Sequence, residues 1–222
     1  MISVAIDGPA GAGKSSLSRL AAKSLGFIYV DTGALYRAIG LKFLRQGADN
    51  TLDCDIQGIL SDTKIDIRFT DGEQRVFLDG EDVSDKIRTP EVSMMASAVS
   101  AKPPVRVYLL EMQRNLAKTN NVLMDGRDIG TVVLPDATVK IFLTASAETR
   151  AKRRHKELME KGVEITYKEV YDDMVKRDYD DSHREIAPLK PADDAIVADT
   201  TECDFEESLE LILSIVKEKA GI

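Results

Sequence analysis

The 222-residue sequence is poor in the residues that form disulfides and metal centres, with only two cysteines and two histidines. Cys54 and Cys203 lie far apart and form no C-x-x-C pair, which favours two free thiols over a disulfide or a metal site. His155 and His183 have neither metal-ligand spacing nor a paired nucleophile, so we interpret them as surface residues. These absences exclude a disulfide framework and leave no sign of a zinc centre.

Long apolar runs and a basic surplus are also missing. No apolar run approaches the roughly 20 residues of a membrane-spanning helix, and the N-terminus reaches Asp7 without the basic start of a signal peptide. The net charge of −8 argues against a broad surface for nucleic acid or anionic membranes. We therefore predict a cytoplasmic protein with no membrane or nucleic-acid partner. We also predict a monomer, because nothing in the sequence indicates an obligate interface.

The stretch from Gly8 to Ser15 fits G-x-x-x-x-G-K-[ST], the phosphate-binding loop. It follows an apolar strand predicted over 2–7 and precedes an amphipathic helix predicted over 15–25, which is the context that such a loop requires. Lys14 is the residue type that reaches terminal phosphates, and the Ser15 hydroxyl is a ligand for Mg²⁺. The predicted nucleotide-binding residues are Gly8, Pro9, Ala10, Gly11, Ala12, Gly13, Lys14, Ser15 and Ser16.

Alternating strand and helix patterns predict an α/β protein with a central parallel sheet that is covered on both faces. Further core strands are predicted over 27–31, 122–125, 140–143 and 195–198, with helices between them. The segments 64–69 and 74–78, with turns at Asp71-Gly72 and Asp79-Gly80, have hairpin signals instead. We predict one domain with its core at 1–60, 104–149 and 166–222, a β-containing insert over about 61–103 and a lid over about 150–165.

Charged residues follow two of the predicted core strands. Asp31, Thr32 and Arg37 come after the second strand, where Asp31 is either a helix cap or a ligand contact. Asp125, Arg127 and Asp128 come after the strand at 122–124. Ligands collect beyond the carboxyl ends of strands in parallel sheets, so both groups are predicted to face the phosphate loop. Asp125 closes an apolar strand, where phosphate-loop proteins hold Mg²⁺ or its water shell.

Two predicted helices carry arginines at helical spacing. Arg150, Arg153 and Arg154 share one face of the first helix, and Arg177 and Arg184, with Asp181 between them, share one face of the second. Planar guanidinium groups bind phosphate oxygens in pairs, so this set is predicted to surround a polyphosphate. The alternative is a solvated face with salt bridges. The stretch from Thr63 to Asp66 matches the guanine-binding motif of GTPases. It lies in an alternating β segment, however, so we reject a guanine-binding role for it.

Taken together, these motifs resemble those of the bacterial cytidylate kinases, the CMP/dCMP kinases of the nucleoside monophosphate kinase family. The resemblance runs over nearly the whole chain and rests on several stretches: 6–15, 31–37, 80–84, 87–89, 125–131, 177–178 and 187–189. It implies a P-loop three-layer fold with an NMP-binding insert and a short lid. It also implies transfer of a phosphoryl group from ATP to CMP or dCMP with Mg²⁺, in pyrimidine metabolism.

The resemblance also implies the roles of particular residues. Nine of them are placed near the CMP: Asp31, Thr32, Arg37, Ser97, Arg106, Arg127, Asp128, Asp181 and Arg184. Three arginines match lid-side positions that approach the transferred phosphoryl group beside Lys14: Arg150, Arg154 and Arg177. Thr32 stands where some relatives carry Ser, and both supply a hydroxyl. Another small-molecule kinase, for UMP or a hydroxyl acceptor, and a GTPase-like switch remain the alternatives at this stage.

Overall fold

The computed structural model describes residues 1–70, 73–160 and 162–222. The turn predicted at Asp71-Gly72 lies outside the described residues, as does Lys161 in the predicted charged stretch. Within the described ranges the strands are β1 (Ser3–Asp7), β2 (Ile28–Asp31), β3 (Ile65–Thr70), β4 (Glu73–Leu78), β5 (Glu81–Asp82), β6 (Val122–Gly126), β7 (Val139–Thr144) and β8 (Ile196–Asp199).

The helices alternate with these strands. They are α1 (Lys14–Leu25), α2 (Thr32–Arg45), α3 (Ile56–Ser61), α4 (Pro90–Ser100), α5 (Pro103–Thr119), α6 (Ala147–Glu160), α7 (Tyr167–His183) and α8 (Phe205–Ala220). A short 3₁₀ turn covers Lys86–Arg88, and a π-helical turn covers Ile129–Val133. None of the helices in the described part of the chain combines the length and the apolarity needed to cross a bilayer.

Five strands form a parallel sheet in the order β2-β6-β1-β7-β8, which confirms the predicted α/β class with a central parallel sheet. The central strand β1 is apolar at successive residues because both of its faces are covered. Val4 and Ile6 pack on one face with residues of α1 and α8, whereas Ala5 packs on the other face with Met124. Helices therefore cover the sheet on both sides, giving three layers.

The remaining strands β3, β4 and β5 form a separate antiparallel sheet, as the hairpin signals predicted. Its buried residues, such as Val76 and Leu78, pack in one cluster with Phe43 of α2 and Met95 of α4. Asp66 of the GTPase-like stretch lies on β3 and accepts a hydrogen bond from Arg68 at 3.1 Å. It is a strand residue, as the sequence indicated.

The parallel register places the carboxyl ends of β1, β2 and β6 at one edge of the sheet. Asp7 is paired with Gly126, and Asp31 is paired with Asp125. The segments that follow these strands therefore begin side by side, although about a hundred residues separate them in sequence. The candidate functional residues lie at this edge.

Candidate active site

The phosphate loop connects β1 to α1 and approaches the neighbouring strand closely. A Cβ atom added to Gly8, which has φ of 151°, would lie 1.9 Å from the carbonyl oxygen of Leu143 on β7, so only glycine fits there. Gly13, with φ of 85°, caps α1, and Lys14 is the first helical residue. The free N–H groups of the first helical turn and the positive end of the helix dipole thus face the loop, which makes an anion site.

Lys14 lies across this loop. Its Nζ donates a hydrogen bond of 2.7 Å to the carbonyl oxygen of Pro9, and the residue is 6% exposed. Burial lowers the pKa of Lys14 and the positive charge of Arg127 lowers it further, while the carboxylates of Asp125 and Asp7 oppose this shift. An incoming anion would favour the charged ammonium group, since it would supply the compensating charge.

Ser15 and Tyr29 converge on the carboxylate of Asp125. The Ser15 hydroxyl donates to Oδ2 at 2.9 Å, and the Tyr29 hydroxyl donates to Oδ1 at 2.9 Å. Asp125 is only 4% exposed. Burial, followed by the negative charge of Asp31, raises the pKa of Asp125 to about 6, although Lys14 and the two hydrogen bonds act against the shift. A nearby cation would favour the ionised carboxylate.

This pair of oxygens fits a magnesium ion that is held mainly by substrate and water. Mg²⁺ prefers oxygen ligands and commonly binds through one or two protein groups together with phosphates. Ser15 and Asp125 supply a hydroxyl and a carboxylate within hydrogen-bond distance of each other. Within the described ranges no group of three or more His, Cys, Asp or Glu side chains could form an all-protein metal cage.

The residues after β2 have structural contacts that the sequence left open. Asp31 caps α2, since its Oδ1 accepts from the N–H of Ala34 at 2.9 Å, and its Oδ2 pairs with Arg37 at 2.8 Å. The Thr32 hydroxyl donates to the carbonyl oxygen of Asp125 at 2.7 Å, and Thr32 is buried. Asp31 therefore acts as a helix cap and an ion-pair partner at once, while Thr32 ties the start of α2 to β6.

The residues after β6 form a set of ion pairs. Asp128 pairs with Arg106 of α5 and lies 3.7 Å from Nη2 of Arg184. Burial raises the pKa of Asp128 even though Arg106 and Arg184 oppose the shift. Arg127 donates to Asp181 of α7 at 2.7 Å. Burial by itself would raise the pKa of Asp181, but the charge and hydrogen bond of Arg127, together with the charges of Arg177 and Arg184, lower it overall.

The prediction that Arg184 shares a helix face with Arg177 and Asp181 is wrong. Helix α7 ends at His183, and Arg184 has an extended backbone with ψ of 142°, so it does not continue the face of Arg177 and Asp181. The helix is followed by a loop, in which the Arg184 Nε donates to the carbonyl oxygen of Ala187, the residue before Pro188, at 2.7 Å. The loop, and not the helical periodicity, brings the Arg184 guanidinium to Asp128.

The arginines of α6 separate into different environments. Arg150 is 5% exposed; it donates to the carbonyl oxygen of Ala10 in the phosphate loop at 2.8 Å and to Asp178 of α7 at 2.6 Å. Arg153 was predicted to share the phosphate-facing surface, but it donates instead to the carbonyl oxygens of Thr200 and Cys203. Arg154 is half exposed and pairs with Glu157. Only Arg150 of these three contacts the loop.

Three predicted site residues lie outside the hydrogen bonds and ion pairs of the site, in the part of the chain that the structure describes. Arg177 lies exposed on α7, Ser97 is half-buried on α4, and Ser16 is exposed on α1. None of them has a side-chain hydrogen bond or ion pair with another described residue. Their predicted roles in binding or catalysis stay predictions.

The roles of Tyr29 and Asp7 were not evident from the sequence. Tyr29 lies within an apolar strand, and a buried phenol needs a hydrogen-bond partner, so its position in the sequence could have indicated a polar neighbour. Asp7 lies in the first strand, and its carboxylate accepts from two backbone N–H groups after β6. A buried acid directly before a phosphate loop was visible in the sequence, but its partners were not.

Comparisons with known proteins identify a family that this chain matches over nearly its full length. The family model described as cytidylate kinase matches residues 4–218. A cytidylate kinase from Caldicellulosiruptor bescii is 55% identical over 96% of this chain and 95% of its own length. Another from Caldicellulosiruptor saccharolyticus is 54% identical over 99% of this chain and 97% of its own.

A structural comparison supports the fold alone. The crystal structure of an uncharacterized protein from Eubacterium ventriosum has a TM-score of 0.52 and 12% identity, covering 98% of this chain and 99% of the other. The family match, by contrast, extends over the phosphate loop, both groups of strand-end residues and the arginine-bearing helices. By this match over nearly its full length, the chain belongs to the cytidylate kinase family.

Proposed function

We propose that the protein transfers the γ-phosphoryl group of ATP to CMP and dCMP, forming ADP and the corresponding diphosphate. One observation carries the proposal: the phosphate loop after β1 and the Arg–Asp cluster after β6 adjoin each other, in a chain that is 55% identical to a cytidylate kinase. The loop fits the donor triphosphate, and the cluster fits the acceptor nucleotide.

The reaction needs little acid–base chemistry. An oxygen of the CMP phosphate is already ionised near neutral pH; it bonds to the γ-phosphorus of ATP while the bond from that phosphorus to the bridging oxygen breaks, and ADP leaves with the electron pair. Catalysis then depends on positioning and on neutralising charge. Lys14, whose ammonium lies 2.7 Å from a loop carbonyl oxygen, would move to the terminal phosphates of ATP.

Mg²⁺ would be held by Ser15 directly and by Asp125 through water, and would neutralise charge on the β- and γ-phosphates. Tyr29 orients the Asp125 carboxylate for this role.

The arginines provide the remaining positive charge. Arg150 already touches the loop through Ala10, whereas Arg177 and Arg154 would reach the transferred group from the lid side. Arg37, Arg106 and Arg127 would clamp the acceptor phosphate. Each of these three is paired with a carboxylate, so the phosphate would compete with an acid for the guanidinium group. Closure around both substrates would exclude water and prevent hydrolysis of ATP.

Cytosine presents an amino donor beside ring and carbonyl acceptors, which suits an arginine together with a carboxylate. The Arg184 and Asp128 side chains, 3.7 Å apart, are such a pair. Asp181 lies near them through its bond with Arg127. We assign base selection to Asp128 and Arg184, with Ser97 and Asp181 contacting the base or the sugar. We further propose that this kinase acts as a cytoplasmic monomer.

A coupled assay of ADP release with CMP, dCMP, UMP, AMP and GMP tests the function directly. We expect CMP and dCMP to be the fastest acceptors, and equal or faster turnover of AMP, GMP or UMP would contradict the proposal. Lys14→Ala should lower kcat by about a hundredfold or more, since it removes a charge from the transition state. Lys23→Ala is the matched control, because Lys23 is an exposed residue of the same helix.

The same assay tests cytosine selection. Arg184→Met should reduce the preference for CMP over UMP, and an unchanged preference would remove Arg184 from base recognition. Arg68→Met, which alters an exposed arginine on β3, should leave the preference unchanged.

A further inference from the structure

The π-helical turn Ile129–Val133 follows directly on Arg127 and Asp128, the residues assigned to the acceptor. Its first two backbone N–H groups are bound by one side chain. Ile129 donates to Oδ1 of Asp7 at 2.7 Å, and Gly130 donates to Oδ2 of Asp7 at 2.7 Å. Both oxygens of this carboxylate therefore hold the start of the turn.

The other end of the turn is held by an arginine. Arg114 of α5 donates through Nε to the carbonyl oxygen of Val133 at 3.0 Å and through Nη2 to that of Val132 at 2.9 Å. The negative carboxylate of Asp7 lies at the N–H end of the turn, and the positive guanidinium group of Arg114 lies at its carbonyl end. Both charges are therefore favourable to the dipole of the turn. The turn is thus fixed from two different elements of the core, β1 and α5.

Asp7 occupies a position that links the two halves of the site. It is the last residue of β1, it is paired with Gly126 in the sheet, and it directly precedes Gly8 of the phosphate loop. It is 5% exposed, so water does not replace its hydrogen bonds. The backbone between Gly126 and Ile129, which carries Arg127 and Asp128, is therefore tied to β1 at both of its ends.

We propose that Asp7 is a positioning residue for the acceptor: its carboxylate fixes the segment that carries Arg127 and Asp128 against the strand that carries the phosphate loop. The inference rests on the proposed function for the identity of the acceptor. Asp7 touches neither substrate and acts through the backbone of Ile129 and Gly130. Its effect should appear in acceptor binding more than in donor binding.

Asp7→Asn is the sharpest change, because it keeps the volume and replaces one acceptor oxygen with an N–H donor group. That group would face a backbone N–H, so one of the two bonds would be lost. We expect the KM for CMP to rise about tenfold and the KM for ATP to change less, since Asp7 acts on Lys14 through its charge alone and through none of its hydrogen bonds. Asp204→Ala is the control, since it removes the cap of α8, away from the site, and lowers stability without touching the turn.

Amide hydrogen exchange gives a second readout that needs no activity. The amides of Ile129 and Gly130 should lose protection in Asp7→Asn, while those of Leu123 and Met124 in β6 keep it. If the KM values for CMP and ATP rise equally, or if the two amides stay protected, the proposal is overturned. If the wild-type protein does not phosphorylate CMP, the proposed function fails instead, and the exchange result still decides whether Asp7 holds the turn.

Asp7→Glu provides the same test if Asp7→Asn does not fold. It keeps the charge and displaces the carboxylate by one methylene group. We expect an increased KM for CMP again, and an unchanged value would count against the proposal.

Discussion

Tyr29 and Asp125 lie on neighbouring strands, and the Tyr29 hydroxyl donates to Oδ1 of Asp125 at 2.9 Å. The other carboxylate oxygen accepts from Ser15 of the phosphate loop. The carboxylate is therefore held from both sides, and its orientation toward the loop is fixed by a residue that would not itself bind the metal. Such outer partners of metal ligands commonly alter metal affinity when they are removed.

We accordingly expect Tyr29→Phe to raise the Mg²⁺ concentration that gives half-maximal activity by about tenfold. The ring stays buried and only the hydroxyl is lost, so the fold should persist. Titration of activity with Mg²⁺ at saturating ATP and CMP measures the effect, and binding of Mn²⁺ with ATP, followed by electron paramagnetic resonance, measures it without turnover. Tyr108→Phe is the control, because the Tyr108 hydroxyl binds the carbonyl oxygen of Thr63. Equal metal dependence in the two variants would contradict this role for Tyr29.

Substitutions of Thr32 can distinguish a structural role of its hydroxyl from a contact with CMP. Its hydroxyl binds the carbonyl oxygen of Asp125, so Thr32→Val leaves a buried carbonyl oxygen without its donor and should lower the free energy of unfolding by about 1–3 kcal/mol. Thr32→Ser keeps the hydroxyl and should remain close to wild type. Urea denaturation gives the comparison. If valine lowers CMP affinity without lowering stability, Thr32 contacts the substrate instead.

The buried pair of Arg106 and Asp128 should be far more sensitive than an exposed one. Arg106→Met leaves the Asp128 carboxylate buried without its main partner, which we expect to lower stability by about 3–5 kcal/mol. Arg68→Met breaks the exposed pair with Asp66 on β3 and should change stability by less than about 1 kcal/mol. Urea denaturation of both variants measures the difference, and similar losses would show that Asp128 is not effectively buried.

Asp7 also predicts a pH dependence of stability. Burial raises its pKa from 3.8 to about 6, although the N–H groups of Gly130 and Ile129 oppose the shift, with Asp128 and Lys14 as the charged neighbours. The folded state then binds this proton more tightly than the unfolded state. Its contribution to stability is present in acid and is lost as the pH rises through about 6.

Between about pH 7 and about pH 5, protonation of Asp7 should stabilise the protein by about 1 kcal/mol. Asp7→Asn lacks this titrating group. As the pH falls over this range, the free energy of unfolding of the wild type should therefore rise by that amount relative to that of the variant. Urea denaturation of both proteins across this range separates the effect of Asp7 from that of Asp125, whose pKa is also raised to about 6 by burial. A constant difference would contradict the raised pKa.

The sequence by itself determined the chemistry of the donor half of the site. Phosphate-loop spacing, an apolar strand before it and a helix after it are local patterns, and local patterns specify the backbone N–H groups that bind phosphate. Two further local patterns indicated the parallel sheet. Strands alternate with helices, and a strand covered on both faces must be apolar at successive residues, as Val4, Ala5 and Ile6 are.

Only the tertiary structure decided which charged side chains meet. Arg150 and Arg153 are three residues apart on one helix, yet Arg150 contacts the phosphate loop and Arg153 binds carbonyl oxygens near the C-terminal helix. Arg184 reaches Asp128 from a loop beyond the end of α7. Helical spacing gives the direction of a side chain about its own axis, whereas its partner depends on how elements distant in sequence pack. For the same reason, the sequence did not predict the hydrogen bonds that Ile129 and Gly130 donate to Asp7, since they join residues more than a hundred positions apart.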